Sequence, residues 1–241
     1  MIPKIIHYCW FGGNPLPPLA EKCIASWKKF LPDYEIKEWN EQNFDVNIIP
    51  YTAEAYQAKK YAFLSDYVRF WILYHYGGLY FDTDVEVIKP MGSIIAKGAF
   101  MGCEQDVKPG KELTVNPGLG LAVEPRHELY KAILKEYDSF HFLNEDGSNN
   151  DKTVVEYVTE ILKKHGLRNS PGIQNINGIN VYPSEYFCPR NTVTKRMHIT
   201  NNTYTIHHYM ASWKDGGFNL KKIIRKFIPE SVLLWYNKRK G

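Results

Sequence analysis

Apolar and polar positions in this chain fall into blocks whose period changes from strand-like to helix-like and back. Ile5, Ile6, Tyr8 and Trp10 crowd the segment Ile2–Trp10, which lies between an early proline and the pair Gly12-Gly13. This pattern predicts a buried strand that runs into a Gly-rich loop. Pro18–Phe30 carries Ala20, Cys23, Ile24 and Trp27 on one stripe and predicts a helix. Tyr34–Trp39 alternates again and predicts a second strand. Strand, helix and strand at this spacing form a βαβ unit and hence a parallel sheet. Asn40–Lys60 is polar and broken, a loop with short helices. Further on, Ala99–Cys103 and Leu119–Val123 read as strands around a polar loop, and Arg126–Phe140 and Thr153–His165 as amphipathic helices.

The segment Tyr61–Pro90 organises the rest. Ala62–Tyr76 is apolar nearly all round, which is the mark of a buried helix. Ser65, Asp66 and Arg69 interrupt it, with Asp66 and Arg69 on one face three residues apart. Gly77-Gly78 stops the helix, because glycine takes the left-handed conformation cheaply. A short apolar strand, Leu79–Phe81, leads into Asp82-Thr83-Asp84, and strand character resumes over Val85–Ile88 until Pro90. Two carboxylates spaced i, i+2 at a strand end project to one side. Gathering them among apolar neighbours is costly unless a cation pairs them, and their hard oxygens suit Mn²⁺ or Mg²⁺. By itself a D-x-D triplet also fits a solvated turn; the acidic and basic pair on the preceding helix is what favours a site.

Composition narrows the class. With 241 residues the chain suits one domain with a full core. The 17 Tyr and 6 Trp give ample aromatic surface for stacking on bases and sugars, though such residues also fill cores. The four cysteines, Cys9, Cys23, Cys103 and Cys188, form no C-x-x-C pair, which argues against a zinc site or disulfide framework and suits a reducing cytosol. No apolar run is long enough for a signal peptide or a membrane span. The net charge of +4 is uneven: residues 221–240 hold seven Lys/Arg against one Glu, a local +6 that leaves −2 on the remainder. Basic residues so confined argue against nucleic-acid binding. The stretch from Leu220 is an amphipathic basic tail that can lie on an anionic membrane or pack on the domain with its charges in water.

SDYVRF followed by YGGLYFDTDVEVIKP resembles the D-x-D region of glycosyltransferase family 32, which includes bacterial capsular-polysaccharide enzymes and a yeast mannosyltransferase. The same arrangement is similar to that in the glucosylating domains of large clostridial toxins. The resemblance implies an α/β fold of GT-A (Rossmann-like) type, with a mostly parallel sheet flanked by helices. The domain would span residues 1–219, with the tail 220–241 attached. It implies a retaining, metal-dependent hexosyltransferase that moves a sugar from UDP-galactose or a similar donor to a glycan or lipid-linked glycan. The expected setting is the synthesis of capsular or other surface polysaccharide, in the cytoplasm or on the inner face of the plasma membrane. A nucleotide-sugar hydrolase and a non-catalytic, membrane-attached binding module are the rival readings.

The resemblance also assigns residues. IPKIIHYCWFGG looks like the family's opening motif and implies Trp10 on the nucleobase, with Phe11 and Gly12 beside the donor. Asp66 and Arg69 would hold the transferred sugar, with Ser65 and Tyr80 nearby. Asp84 would ligate the metal directly and Asp82 the ribose and metal-bound water. His207, His208, Ser212 and Trp213 match an HH-x-x-x-SW pattern, from which His208 is expected on the metal and Ser212 and Trp213 on the diphosphate. Toxin members have an acidic ligand in that C-terminal loop, where this chain offers histidine. Asn116 is a candidate on the acceptor side; its Asn-Pro-Gly context also fits a plain turn.

Overall fold

The computed structural model describes residues 1–150, 152–191, 194 and 196–210. In chain order the elements are β1 (Ile5–Cys9), α1 (Pro18–Phe30), β2 (Glu35–Trp39), α2 (Pro50–Gln57), α3 (Tyr61–Tyr76), β3 (Gly78–Tyr80), β4 (Val85–Val87) and α4 (Gly92–Ile95). There follow β5 (Phe100–Gln105), β6 (Thr114–Val115), a 3₁₀ turn at Pro117–Leu119, β7 (Leu121–Val123), α5 (Glu128–Tyr137) and α6 (Val154–Lys164). The last are β8 (Gln174–Ile176), β9 (Ile179–Tyr182), α7 (Ser184–Phe187) and β10 (Thr205–His207).

The main sheet has the order β2-β1-β3-β7-β5-β9-β8, with β6 beside β5. Pairing makes β2, β1 and β3 parallel, reverses β7, and returns β5 and β9 to the first direction. The sheet is therefore mainly parallel, with β6, β7 and β8 reversed. Helices cover it in two apolar layers. One surrounds α3 and α5 through Leu64, Val68, Phe70, Leu73 and Ile133; the other joins α1 to the strands through Ile24, Trp27, Leu79 and Phe81.

Strand character resumes after the D-x-D turn as expected, in β4, but outside the main sheet. There β4 pairs antiparallel with β10 in a separate two-stranded sheet, with Val85 opposite His207 and Glu86 opposite Ile206. The turn itself breaks the strand, as the Val85 N–H closes back on the Asp82 carbonyl at 3.0 Å. The indole of Trp27 on α1 donates to the Val85 carbonyl at 2.7 Å and ties this small sheet to the core.

The junction between α3 and β3 shows why glycine is needed. Gly77 and Gly78 have φ of 63° and 99°, where a side chain is strained. A Cβ on Gly77 would lie 2.7 Å from Pro125, and one on Gly78 2.7 Å from the Ile5 carbonyl. His7 clamps this junction: its Nδ1 accepts from the Trp39 indole at 3.0 Å, which leaves the proton on Nε2 to donate to the Gly77 carbonyl at 3.0 Å. Burial lowers the His7 pKa to about 4, outweighing the help of the Gly77 carbonyl.

A neutral clamp of this kind has a pH signature. The group titrates near 6.5 when unfolded and near 4 when folded, so the unfolded chain binds the extra proton in between. Its stabilisation is complete above about pH 6.5 and is lost as pH falls toward 4, by about 3 kcal/mol in all. Urea unfolding followed from pH 7.5 to 4.5 should show a steeper loss in the wild type than in His7→Gln.

Candidate active site

A cavity of about 590 Å³ opens where β1 and β3, adjacent and parallel, deliver their carboxyl ends. Ligands of open α/β sheets bind at such ends. Trp10 and Phe11 line it just after β1, and Tyr80, Asp82 and Asp84 line it at and beyond β3. Ser65 and Arg69 reach it from α3, and His207 and Tyr209 from the end of β10.

Its floor is a charge cluster. Arg69 Nη2 lies 2.9 Å from Asp66 Oδ1 and 3.1 Å from Asp82 Oδ1, so one guanidinium serves two carboxylates. The Arg69 Nε donates to the Ser65 carbonyl at 3.2 Å, and the guanidinium sits 5.2 Å from the Tyr80 ring centre. The Tyr80 hydroxyl donates to Asp82 Oδ1 at 3.1 Å. Burial pushes the Asp66 carboxyl up to about 7, against the pull of Arg69. Asp82 is also raised by burial, with Arg69 and His207 opposing. Asp84 goes the other way. Burial works against its charge, but the hydrogen bond and charge of His207 and the Met210 N–H, at 2.7 Å, hold its carboxyl below the usual range.

His207 Nε2 stands 2.9 Å from Asp84 Oδ1. Burial disfavours the imidazolium, yet Asp84 outweighs it and raises the pKa. His207 Nδ1 is buried with no hydrogen-bond partner among the described residues. Donor atoms of Asp82, Asp84 and His207 all lie within 4.8 Å of one another. Two carboxylates and an imidazole are a donor set that Mn²⁺ accepts and Mg²⁺ tolerates, so the residues present fit a divalent cation.

The expectation for His208 is corrected. His208 Nε2 faces Glu86 Oε2 at 2.8 Å, outside the cluster, and His207 takes the inward place. Side chains alternate across β10, and its register with β4 sets His207 opposite Val85, beside Asp84. Asn116 sits in the turn that its Asn-Pro-Gly context also fits. It is buried off the cavity wall, and its Oδ1 accepts from the Gly118 N–H at 2.7 Å. Gly118 in turn offers its carbonyl to the Asp82 N–H at 3.3 Å, so Asn116 shapes the acidic turn from behind. Asp66 pairs with Arg69 and is not itself among the residues that line the cavity.

Trp10 is half-buried on the wall, with its indole donating to the Asn14 carbonyl at 2.6 Å. Phe11 packs edge-on to Phe44, with ring centres 6.2 Å apart. Gly12 lies against Tyr61, whose ring a Cβ would overlap, and donates its N–H to Glu41 Oε1 at 2.6 Å. The Ser65 hydroxyl donates to the Tyr61 carbonyl at 2.8 Å. Ser212, Trp213 and the tail 220–241 lie outside the described residues. Sequence reasoning did not single out Gly118, Tyr209 or Lys59; only a left-handed backbone or a through-space contact distinguishes them, and neither is visible in residue order.

Gly118 supplies a test of the cluster. A Cβ there would overlap Asp82 Oδ2, while the backbone is one that alanine adopts. Gly118→Ala should therefore leave the fold intact and displace Asp82 from Arg69. Mn²⁺ affinity read by electron paramagnetic resonance should fall by about tenfold or more, the scale of losing one well-placed charged contact. Unchanged affinity would mean that Asp82 takes no part in holding the ion.

Residues 17–101 match the family described as glycosyltransferase sugar-binding region containing DXD motif. Inositol phosphoceramide mannosyltransferase 1 of Schizosaccharomyces pombe is 28% identical over 144 residues, 55% of this chain and 42% of that protein. The chain thus spans less than half the length of that relative. An uncharacterized glycosyltransferase of Acanthamoeba polyphaga mimivirus is 26% identical over 230 residues, covering 88% of this chain and 84% of its own. The crystal structure of a glycosyltransferase involved in glycosylating the major capsid of PBCV-1 superposes with a TM-score of 0.50 at 13% identity, over 87% of this chain and 95% of that one, a likeness of fold. The chain thus has a fold of GT-A type, and its residues 17–101 match the DXD-containing sugar-binding region of glycosyltransferases.

Proposed function

We propose that the protein transfers a hexosyl group from a nucleoside diphosphate sugar to a glycan hydroxyl and needs a divalent cation to do so. The observation that carries this reading is the Asp82, Asp84 and His207 trio at the floor of the cavity, with Trp10 at its wall. A bound cation would supply positive charge to the departing diphosphate. Arg69, held by Asp66 and Asp82, is fixed in place to orient donor oxygens. Trp10 presents a flat face for the base, and the Tyr80 hydroxyl keeps Asp82 in position.

Within this reading, UDP-galactose is the first donor and the setting is surface-polysaccharide synthesis of the family 32 kind. Transfer with retention, on the face the diphosphate leaves, suits the cavity. Its lining carboxylates among the described residues are Asp82 and Asp84, and both are engaged by Arg69, Tyr80 or His207. The relative named a mannosyltransferase gives a mannosyl donor as the second reading. A cytoplasmic place, with the basic tail on the inner membrane face and a lipid-linked acceptor, completes the proposal. Among the described residues no helix is long and apolar enough to cross a membrane.

Thermal-shift measurements with UDP-galactose, UDP-glucose, UDP-N-acetylglucosamine and GDP-mannose, with and without Mn²⁺, test it. The true donor should stabilise the protein by about 2.7 kcal/mol at a hundredfold excess over its dissociation constant, only with the metal. Equal stabilisation in EDTA would overturn metal dependence. Sugar release without acceptor, as fast as transfer, would favour a hydrolase.

A further inference from the structure

The backbone at Lys59 is one that suits glycine. Helix α2 ends at Gln57 with Ala58 as its cap. The Lys59 N–H then donates to the Tyr56 carbonyl at 2.9 Å and the Lys60 N–H to the Ala55 carbonyl at 2.8 Å. This is the double closure of a Schellman turn, whose residue after the cap turns left-handed and is usually glycine. Lys59 has φ of 56°, one of four non-glycine residues with positive φ among the described residues. Two of the four, Lys59 and Tyr209, line the cavity at the carboxyl ends of β1 and β3. Strained backbone of this kind concentrates at functional sites, because a side chain is needed where a glycine would be cheaper.

The charges around the cavity show what that side chain is for. Arg69 is committed to Asp66 and Asp82, and His207 to Asp84. Every cation of the floor thus already answers a carboxylate of the floor. Lys59 is exposed, lines the same cavity, and has no ion pair among the described residues. It lies two residues before Tyr61, whose ring touches the Gly12 turn, and so flanks the Trp10 end of the cavity.

We propose that Lys59 is a donor-binding residue whose ammonium takes the phosphate oxygens of the nucleoside diphosphate. The inference rests on the reading under Proposed function and adds to it the one lining cation among the described residues left over for an anionic ligand. Lysine suits the task, as a point charge on a flexible stem that reaches a phosphate without fixed geometry.

Isothermal titration calorimetry with UDP and GDP in Mn²⁺, on the full chain, tests this with Lys59→Gln, Lys59→Gly and the control Lys60→Gln. Both Lys59 variants should lose about threefold to fivefold in affinity for the diphosphate that the wild type binds, the scale of one exposed ion pair. The deficit should shrink toward none at 1 M salt, where screening removes it in the wild type as well. Lys59→Gly should melt above the wild type, since glycine relieves the left-handed strain, which separates lost binding from lost fold. Lys60→Gln should bind as the wild type does. If both Lys59 variants bind UDP and GDP normally, the Lys59 assignment is wrong and the wider reading stands. If the wild type binds neither diphosphate, both fall.

Discussion

One guanidinium shared between two buried carboxylates is the constraint around which this molecule is arranged. Arg69 is 4% exposed and bridges Asp66 on its own helix to Asp82 beyond the next strand. Removing such a cation would leave two uncompensated acidic groups, which is far costlier than the net worth of the pairs. The helix that presents it is apolar on its other sides, so packing fixes its rotation, and Gly77-Gly78 returns the chain within two residues to place Asp82 in reach. The neutral His7 clamp holds that return. Stability arguments alone do not call for such a cluster, because well-packed apolar residues of the same volume would serve the fold as well.

The second carboxylate draws in the far end of the described chain. Asp84 accepts from the Met210 N–H and pairs with His207, and its own carbonyl accepts from the His208 N–H at 3.0 Å. The small β4–β10 sheet therefore closes the site with residues about 120 positions downstream of the D-x-D turn. The two carboxylates are pushed in opposite directions, Asp82 by burial and Asp84 by its imidazole and amide partners. Divergent environments for neighbouring acids are a recurring feature of reactive sites.

Much of this is legible in residue order, and the rest is hidden for identifiable reasons. The buried α3, its glycine stop and the acidic pair follow from local period and turn chemistry, and α1 has the very bounds its apolar stripe predicts. The departure of β4 from the main sheet is not legible, because a three-residue strand such as Val85–Val87 looks the same in either sheet. The choice between His207 and His208 turns on β-register, which a one-residue slip reverses and no neighbour in sequence declares. Asn116 carries a turn signal and a functional signal at once; only its burial and its bond to Gly118 separate them. Lys59 lies in a segment that reads as broken loop, and its strained backbone appears only in three dimensions.

The central claim is that Asp82, Asp84 and His207 together receive a divalent cation. Anomalous diffraction at the manganese edge, from crystals grown with UDP and Mn²⁺, addresses it directly. The account predicts one metal peak ligated by those three side chains. Bound UDP with no peak there, or a peak held instead by His208 and Glu86, would contradict it.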